Sequence, residues 1–182
     1  LDLENLIYKL NAFLNKDIGI IKIHKVRHDS HARFDAISRE YEYYITQIKD
    51  VYNHDKKYFF SKKLNFDKID KAIDILKNTK NFKSFCRTKS DVTNYNCEIF
   101  DFNYEIKESE IIFRIRANRF LRNMVRSLIG TILDVSLNKI SIKNLTEIIE
   151  KSNRIYAGPS VPAHALFLSN VEYPKNVFID EY

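Results

Sequence analysis

Three glycines in 182 residues, at positions 19, 130 and 158, leave nothing from which to build a glycine-rich phosphate loop or a dinucleotide fingerprint. No nucleotide cofactor is expected. Cysteine is equally scarce. Cys86 and Cys97 stand without a Cys-x-x-Cys pair, which suggests neither a disulfide framework nor a zinc ribbon and fits reduced thiols in the cytoplasm. No apolar run approaches the roughly 18–20 residues needed to cross a bilayer, and no signal peptide is visible, so no membrane partner is expected. His28 and His31 lie three apart but lack a third ligand, so no metal site is expected.

The residues that are present are those of a globular protein, 45% apolar and 30% charged. The length allows one principal domain with an attached piece. Lys and Arg exceed Asp and Glu by 30 to 24, a net charge of +6 that is compatible with a polyanionic partner.

Hydrophobic spacing orders the chain. Leu3, Leu6, Ile7, Leu10, Phe13 and Leu14 predict a helix, and Ile18 to Val26 a strand after it. This αβ pair is too small to hold a core and reads as the closing part of an upstream domain, residues 1–28, with the principal domain at 29–182. In that domain a strand is predicted at Arg39 to Ile48, with Tyr41, Tyr43 and Ile45 on one face and Glu42, Tyr44 and Thr46 on the other. A helix follows at Asp67 to Asn78, then a hairpin turning at Lys107 to Glu110, with Phe100, Phe102, Tyr104 and Ile106 on one face of Cys97 to Ile106 and Ile111, Phe113, Ile115 and Ala117 alternating likewise in the second strand. A long helix comes next, then a short one at Ile142 to Lys151 capped by Ser141, and a last strand near Ala165 to Tyr173. With the short helix set aside, the order is β-α-β-β-α-β. The expected class is α+β, a ferredoxin-like antiparallel sheet with both helices on one face. Two long polar connections, Lys49 to Asn65 and Lys80 to Asn96, have lengths often associated with function.

The long helix is read over residues 117–135, where Phe120, Leu121, Met124, Val125, Leu128, Ile129 and Ile132 form an apolar stripe. Arg119, Arg122 and Arg126 would share the opposite face. Arg119 and Arg122 read as a solvated basic face. Arg126 is followed on its own face by Ile129, Gly130 and Leu133, so it falls where the surface turns apolar. A partly desolvated guanidinium at that boundary needs an anionic partner.

The same stretch, Ala117-Asn118-Arg119-Phe120-Leu121-Arg122-Asn123-Met124-Val125-Arg126 followed by Gly130-Thr131, resembles the tRNA pseudouridine synthase A family. Two further blocks agree in order: His31-Ala32-Arg33-Phe34-Asp35-Ala36 leading into Arg39-Glu40-Tyr41-Glu42-Tyr43-Tyr44, and Pro162-Ala163-His164-Ala165-Leu166-Phe167-Leu168 with Val171-Glu172-Tyr173-Pro174. Phe82-Lys83-Ser84-Phe85 with Cys97-Glu98-Ile99 is a weaker fourth. The family usually has Gly-Leu where this chain has Ala165-Leu166.

The resemblance implies an enzyme that converts uridine to pseudouridine at positions 38–40 in the anticodon arm of tRNA, without metal or cofactor, as a homodimer. It implies that Arg126 pairs with the nucleophilic aspartate and that Tyr41 contacts the target base. Arg33 and Arg39, flanking the tyrosine strand, are candidate phosphate contacts, and the basic segment Lys83 to Lys89 could touch RNA. Tyr43 and Tyr44 could equally be sheet packing, and His164 reads as structural.

The family's nucleophile lies in an Arg-Thr-Asp-Ala-Gly loop upstream of the His31 block, and no such string occurs in these residues. Arg87-Thr88-Lys89-Ser90-Asp91 echoes it with the wrong insertion and position and is not assigned. The sequence, opening on Leu1 inside a helical pattern, is therefore expected to be a C-terminal part of the enzyme, inactive by itself. The alternative is a non-catalytic RNA-binding module of RRM-like architecture, which the absence of a glycine-containing RNP1 string argues against.

Overall fold

A computed structural model describes residues 2–88 and 92–179; the rejected Asp91 and the end of the basic segment, Lys89, fall outside them. By compactness the chain divides into two units. One runs from Ile37 to Glu172, and the other combines residues 1–36 with 173–182.

The larger unit has the expected α+β order. Its elements are β1 (Ser38–Thr46), β2 (Tyr58–Phe59), α2 (Phe66–Lys77), β3 (Ile99–Lys107), β4 (Glu110–Ala117), α3 (Met124–Ser136), α4 (Ile142–Lys151) and β5 (Leu166–Glu172). β1 is central, antiparallel to β4 along its whole length and to β5 on its other edge, with β3 beyond β4. The one addition to the expected sheet is β2. It lies in the long connection after β1 and pairs in parallel with Ile45 and Thr46, on the part of the β1 edge that β5 does not reach.

Period-2 alternation sends Tyr43 and Ile45 of β1, and Ile111, Phe113 and Ile115 of β4, into one core. Ile69, Ala72, Ile73 and Leu76 of α2 join it at helical spacing, with Leu128 and Ile132 of α3. The other face of the sheet is charged. Arg114 binds Glu42 at 2.7 Å and Glu105 at 3.0 Å, and the Tyr44 hydroxyl donates to Glu42 at 2.5 Å, which holds that carboxyl below its usual range. At the sheet end Lys57 bridges Asp50 and Glu110.

Two local expectations in the larger unit need correction. The strand at Cys97 to Ile106 does not place Phe100 in the core. A bulge between Ile99 and Asp101 puts Ile99 there instead, and Phe100 is turned to the charged face, where Arg116 lies 5.7 Å above its ring. The second correction concerns the long helix. β4 carries on to Ala117, which pairs with both Arg39 and Ile99, and a turn follows before α3 begins at Met124. Asn123, just ahead of the helix, is left-handed at φ 68°, a conformation that asparagine tolerates better than most residues. Arg119 and Arg122 are therefore not helical and share no helix face with Arg126.

In the smaller unit α1 spans Leu3–Phe13, started by the Asp2 carboxylate accepting from the Asn5 N–H at 3.0 Å. The strand expected at Ile18 to Val26 is not formed. The Asn11 side chain occupies both backbone groups of Ile20, at 2.7 and 2.9 Å, and among the described residues the ladder here is a single bridge from Val26 to Phe178. Alternating apolar residues without a neighbouring strand cannot make a sheet, and Ile21 is 94% exposed.

Candidate active site

α3 is buried on nearly all sides. Every residue from Met124 to Ser136 is buried except Arg126 and Asp134. Asp134 is neutralised by Lys139 at 2.7 Å. Arg126 has no such partner: among the described residues no carboxylate lies within ion-pair distance of it. It also occupies the first helical turn, where the peptide dipoles are positive and no acidic residue stands. Two sources of positive potential thus converge on a half-buried point, an arrangement that only an anion relieves.

The guanidinium is held in place by main chain. Its Nε–H donates to the Val161 carbonyl at 2.6 Å, and the Val161 N–H donates back to the Arg126 carbonyl at 3.2 Å. The neighbouring Pro162 carbonyl accepts from the fully buried Tyr43 hydroxyl at 2.9 Å. Burial pushes the Tyr43 phenol up, and the nearby Arg126 charge acts against that rise. Residues 158–162 therefore form a strap that joins the start of α3 to the middle of β1.

Glycine makes the strap's approach possible. A Cβ at Gly130 would lie 1.7 Å from the Pro159 carbonyl oxygen, and one at Gly158 would lie 2.8 Å from the Thr131 Cα. The Thr131 hydroxyl adds a bond from the Gly158 N–H at 3.0 Å.

Tyr41 lies on the same face of β1 as Tyr43, two residues along, or about 6.8 Å. Its ring meets Phe120 edge-on, with centroids 5.1 Å apart, and the residue is partly exposed. No side chain or carbonyl among the described residues takes its hydroxyl. Tyr43 and Tyr44 are sheet residues, one in the core and the other on the charged face. Arg39 spends a guanidinium N–H on the Asn118 carbonyl at 2.8 Å, bracing the turn that carries Phe120. Arg33 belongs to the smaller unit, where it is exposed with its guanidinium 5.6 Å from the Phe34 ring centre. His164 contacts the Lys57 carbonyl at 3.1 Å. Among the described residues there is no group of three or more side chains able to hold a metal, and no helix is long and apolar enough to cross a membrane.

Sequence reasoning reached Arg126 and Tyr41 but missed the strap, Phe120's place beside Tyr41, and Arg154. Arg154 is half-buried and donates to the Ala157 carbonyl at 3.3 Å and to the Ser160 hydroxyl at 3.0 Å. The Asn123 side-chain amide also donates to Ser160, at 2.5 Å. Such contacts span 3 to 37 residues and leave no periodic trace.

The helix-mounted Arg126 without a carboxylate partner and the partly exposed Tyr41 of β1 can now be set beside known proteins. Residues 72–174 match the family model described as tRNA pseudouridine synthase. The chain is 42% identical over 179 residues to the tRNA pseudouridine synthase A of Bacteroides fragilis, covering 98% of this chain and 71% of that protein. It is 43% identical over 177 residues to that of Parabacteroides distasonis, covering 97% and 70%. A tRNA pseudouridine synthase A 1 of Bacillus cereus is 35% identical over 166 residues, covering 90% and 67%. The chain belongs to the tRNA pseudouridine synthase family.

Proposed function

We propose that this chain is the arginine-bearing, C-terminal part of an enzyme that isomerises uridine to pseudouridine in the anticodon arm of tRNA, at positions 38–40. The reaction breaks the bond from the ribose C1′ to N1 of uracil and makes one from C1′ to C5. A proton leaves C5 and one is gained at N1, so substrate and product have the same composition and no redox partner is consumed. The base must leave its stack, be held, and be attacked by a carboxylate that stays ionised in a partly dry pocket.

The half-buried Arg126 guanidinium, clasped by Val161 yet without a carboxylate partner, carries this reading. Such a cation lowers the pKa of an acid brought against it and orients its oxygens. In this proposal the acid is the family's aspartate, supplied from outside these 182 residues, with residues 1–28 ending the domain that bears it and residues 29–182 forming the synthase domain proper. Tyr41 stacks on the extruded uracil and offers it a hydroxyl, and Arg33 contacts the RNA backbone. The enzyme works without metal or cofactor, as a homodimer in the cytoplasm, and the 182 residues alone are inactive.

The test is pseudouridine formation in transcribed tRNA. The whole enzyme is expected to make it, an Arg126→Lys enzyme to lose at least a hundredfold in kcat, and the 182-residue chain to make none. Near-normal turnover by Arg126→Lys removes the assignment. Product from the isolated chain shows that the nucleophile lies within it.

A further inference from the structure

Behind the strap lies a cleft of about 390 Å³, lined by Lys83, Arg87, Lys151 and Arg154 with Cys86 and Tyr95. Its size falls in the range of pockets that hold nucleotide-sized ligands, roughly 300–1,000 Å³. Four cations face it, and among the described residues no carboxylate lines it. None of the four has an acidic partner among the described residues, although other lysines and arginines, such as Lys57 and Arg114, do. Like charges gathered around a concave surface repel one another, and the field they make is focused into the cleft.

Three of the four cationic groups are also positioned by neighbours. Lys83 lies 5.5 Å from the Tyr95 ring centre and Lys151 4.8 Å from that of Tyr156. The Arg87 backbone N–H donates to the Arg122 carbonyl at 2.9 Å, which fixes the main chain there while the side chain is exposed. Arg154 reaches the Ala157 carbonyl and the Ser160 hydroxyl, which uses only part of the five-donor guanidinium fork. Burial lowers its pKa, as expected of a cation that gives up water without gaining an anion. Basic groups interleaved with tyrosines suit a nucleic-acid backbone better than a small acid.

The cleft and the candidate active site share one structural member. Ser160, which accepts from Arg154, is joined by a peptide bond to Val161, which clasps Arg126. We propose that the cleft formed by Lys83, Arg87, Lys151 and Arg154 is a binding site for the RNA backbone phosphate adjoining the extruded nucleotide. The proposal rests on the reading that tRNA is the substrate. In it, seating the phosphate steadies the strap, so the RNA strand is gripped beside the point where its base is attacked.

The experiment is tRNA binding by the whole enzyme across a series of KCl concentrations. Each lost phosphate contact lowers the slope of log K against log salt by about 0.7–0.9. A Lys83→Gln/Lys151→Gln enzyme is expected to bind more weakly, with a slope smaller by about 0.7–0.9, the value of the one phosphate the cleft holds. Both ammonium groups touch only aromatic rings here, so the fold should survive. Lys62→Gln/Lys63→Gln, on the exposed connection between β2 and α2, controls for net charge, and its slope should change by less than half as much. Arg154→Lys keeps the charge and should keep the slope while raising KM.

If the cleft variant matches the Lys62/Lys63 control while wild type binds tRNA and Arg126→Lys is inactive, the phosphate site is overturned and the enzyme reading stands. If wild type shows no salt-dependent binding of tRNA, or Arg126→Lys retains full turnover, the enzyme reading falls and the phosphate site with it.

Discussion

Arg126 and Val161 hold each other by two reciprocal hydrogen bonds, side chain to main chain at 2.6 Å and main chain to main chain at 3.2 Å. The Nε end of the guanidinium is thereby committed, and its direction is set by backbone rather than by a mobile side chain. A neutral backbone clasp of this kind orients the cation without cancelling its charge. An acidic residue in the same place would have consumed it.

The clasp depends on close approach at Gly130. A methyl group there would meet the Pro159 carbonyl oxygen at 1.7 Å, and backbone can yield only by moving the strap. Gly130→Ala is expected to cost roughly 2–3 kcal/mol despite the better helix propensity of alanine. Gly19 offers a comparison, because nothing lies within 4 Å of a Cβ there, and Gly19→Ala should change stability by less than about 1 kcal/mol. Urea midpoints of the two variants measure the difference. Equal midpoints would mean that the strap is not tightly seated on α3.

Tyr41 separates packing from chemistry. Its ring contacts Phe120 while its hydroxyl takes no partner among the described residues, so Tyr41→Phe should leave stability within about 0.5 kcal/mol. In the whole enzyme the same change should lower kcat/KM by up to about tenfold, the value of one neutral hydrogen bond. Steady-state kinetics on tRNA provide the measurement, and unchanged kcat/KM would leave the hydroxyl without a role.

Cys97 tests the core near the start of β3. Burial pushes its thiol up to about 11. At pH 8 the folded protein then carries about one thiolate per thousand, and alkylation should be slow until the chain unfolds. In a Cys86→Ser background, iodoacetamide labelling should be at least about tenfold faster in urea than in buffer. The linkage has a definite sign. The folded pKa is raised, so this group's contribution to stability is complete below the unfolded value, near 8.5, and is lost as pH rises toward 11. Rapid native labelling would contradict the burial.

Much of the larger unit was readable because its signals are local. β1 sends Tyr43 and Ile45 to one face and Glu42 and Tyr44 to the other, α2 repeats Ile69, Ala72, Ile73 and Leu76 at helical spacing, and Ser141 caps α4 by accepting from the Asn144 N–H at 3.0 Å. Periodicity misled where a ladder competes with a helix. Residues 117–123 have helical spacing of apolar groups, yet Ala117 is claimed by two neighbouring strands and Asn123 turns left-handed. The bulge at Phe100 and the missing strand at Ile18 to Val26 have the same origin, since both depend on the presence and register of a partner strand. Of the candidate site, the motif-bearing Arg126 and Tyr41 could be picked out, and of the basic cleft only Lys83 and Arg87 within the basic segment, whereas the strap and the cleft's Lys151 and Arg154 could not. Their residues matter through partners tens of positions away, and no window of sequence contains both ends.

The residue that clasps Arg126 is synthesised 35 positions after it, and the β5 strand that pairs with β1 emerges later still. The arginine can therefore be aimed only after Val161 and the residues around it have left the ribosome, so the clasp forms late in the synthesis of this stretch.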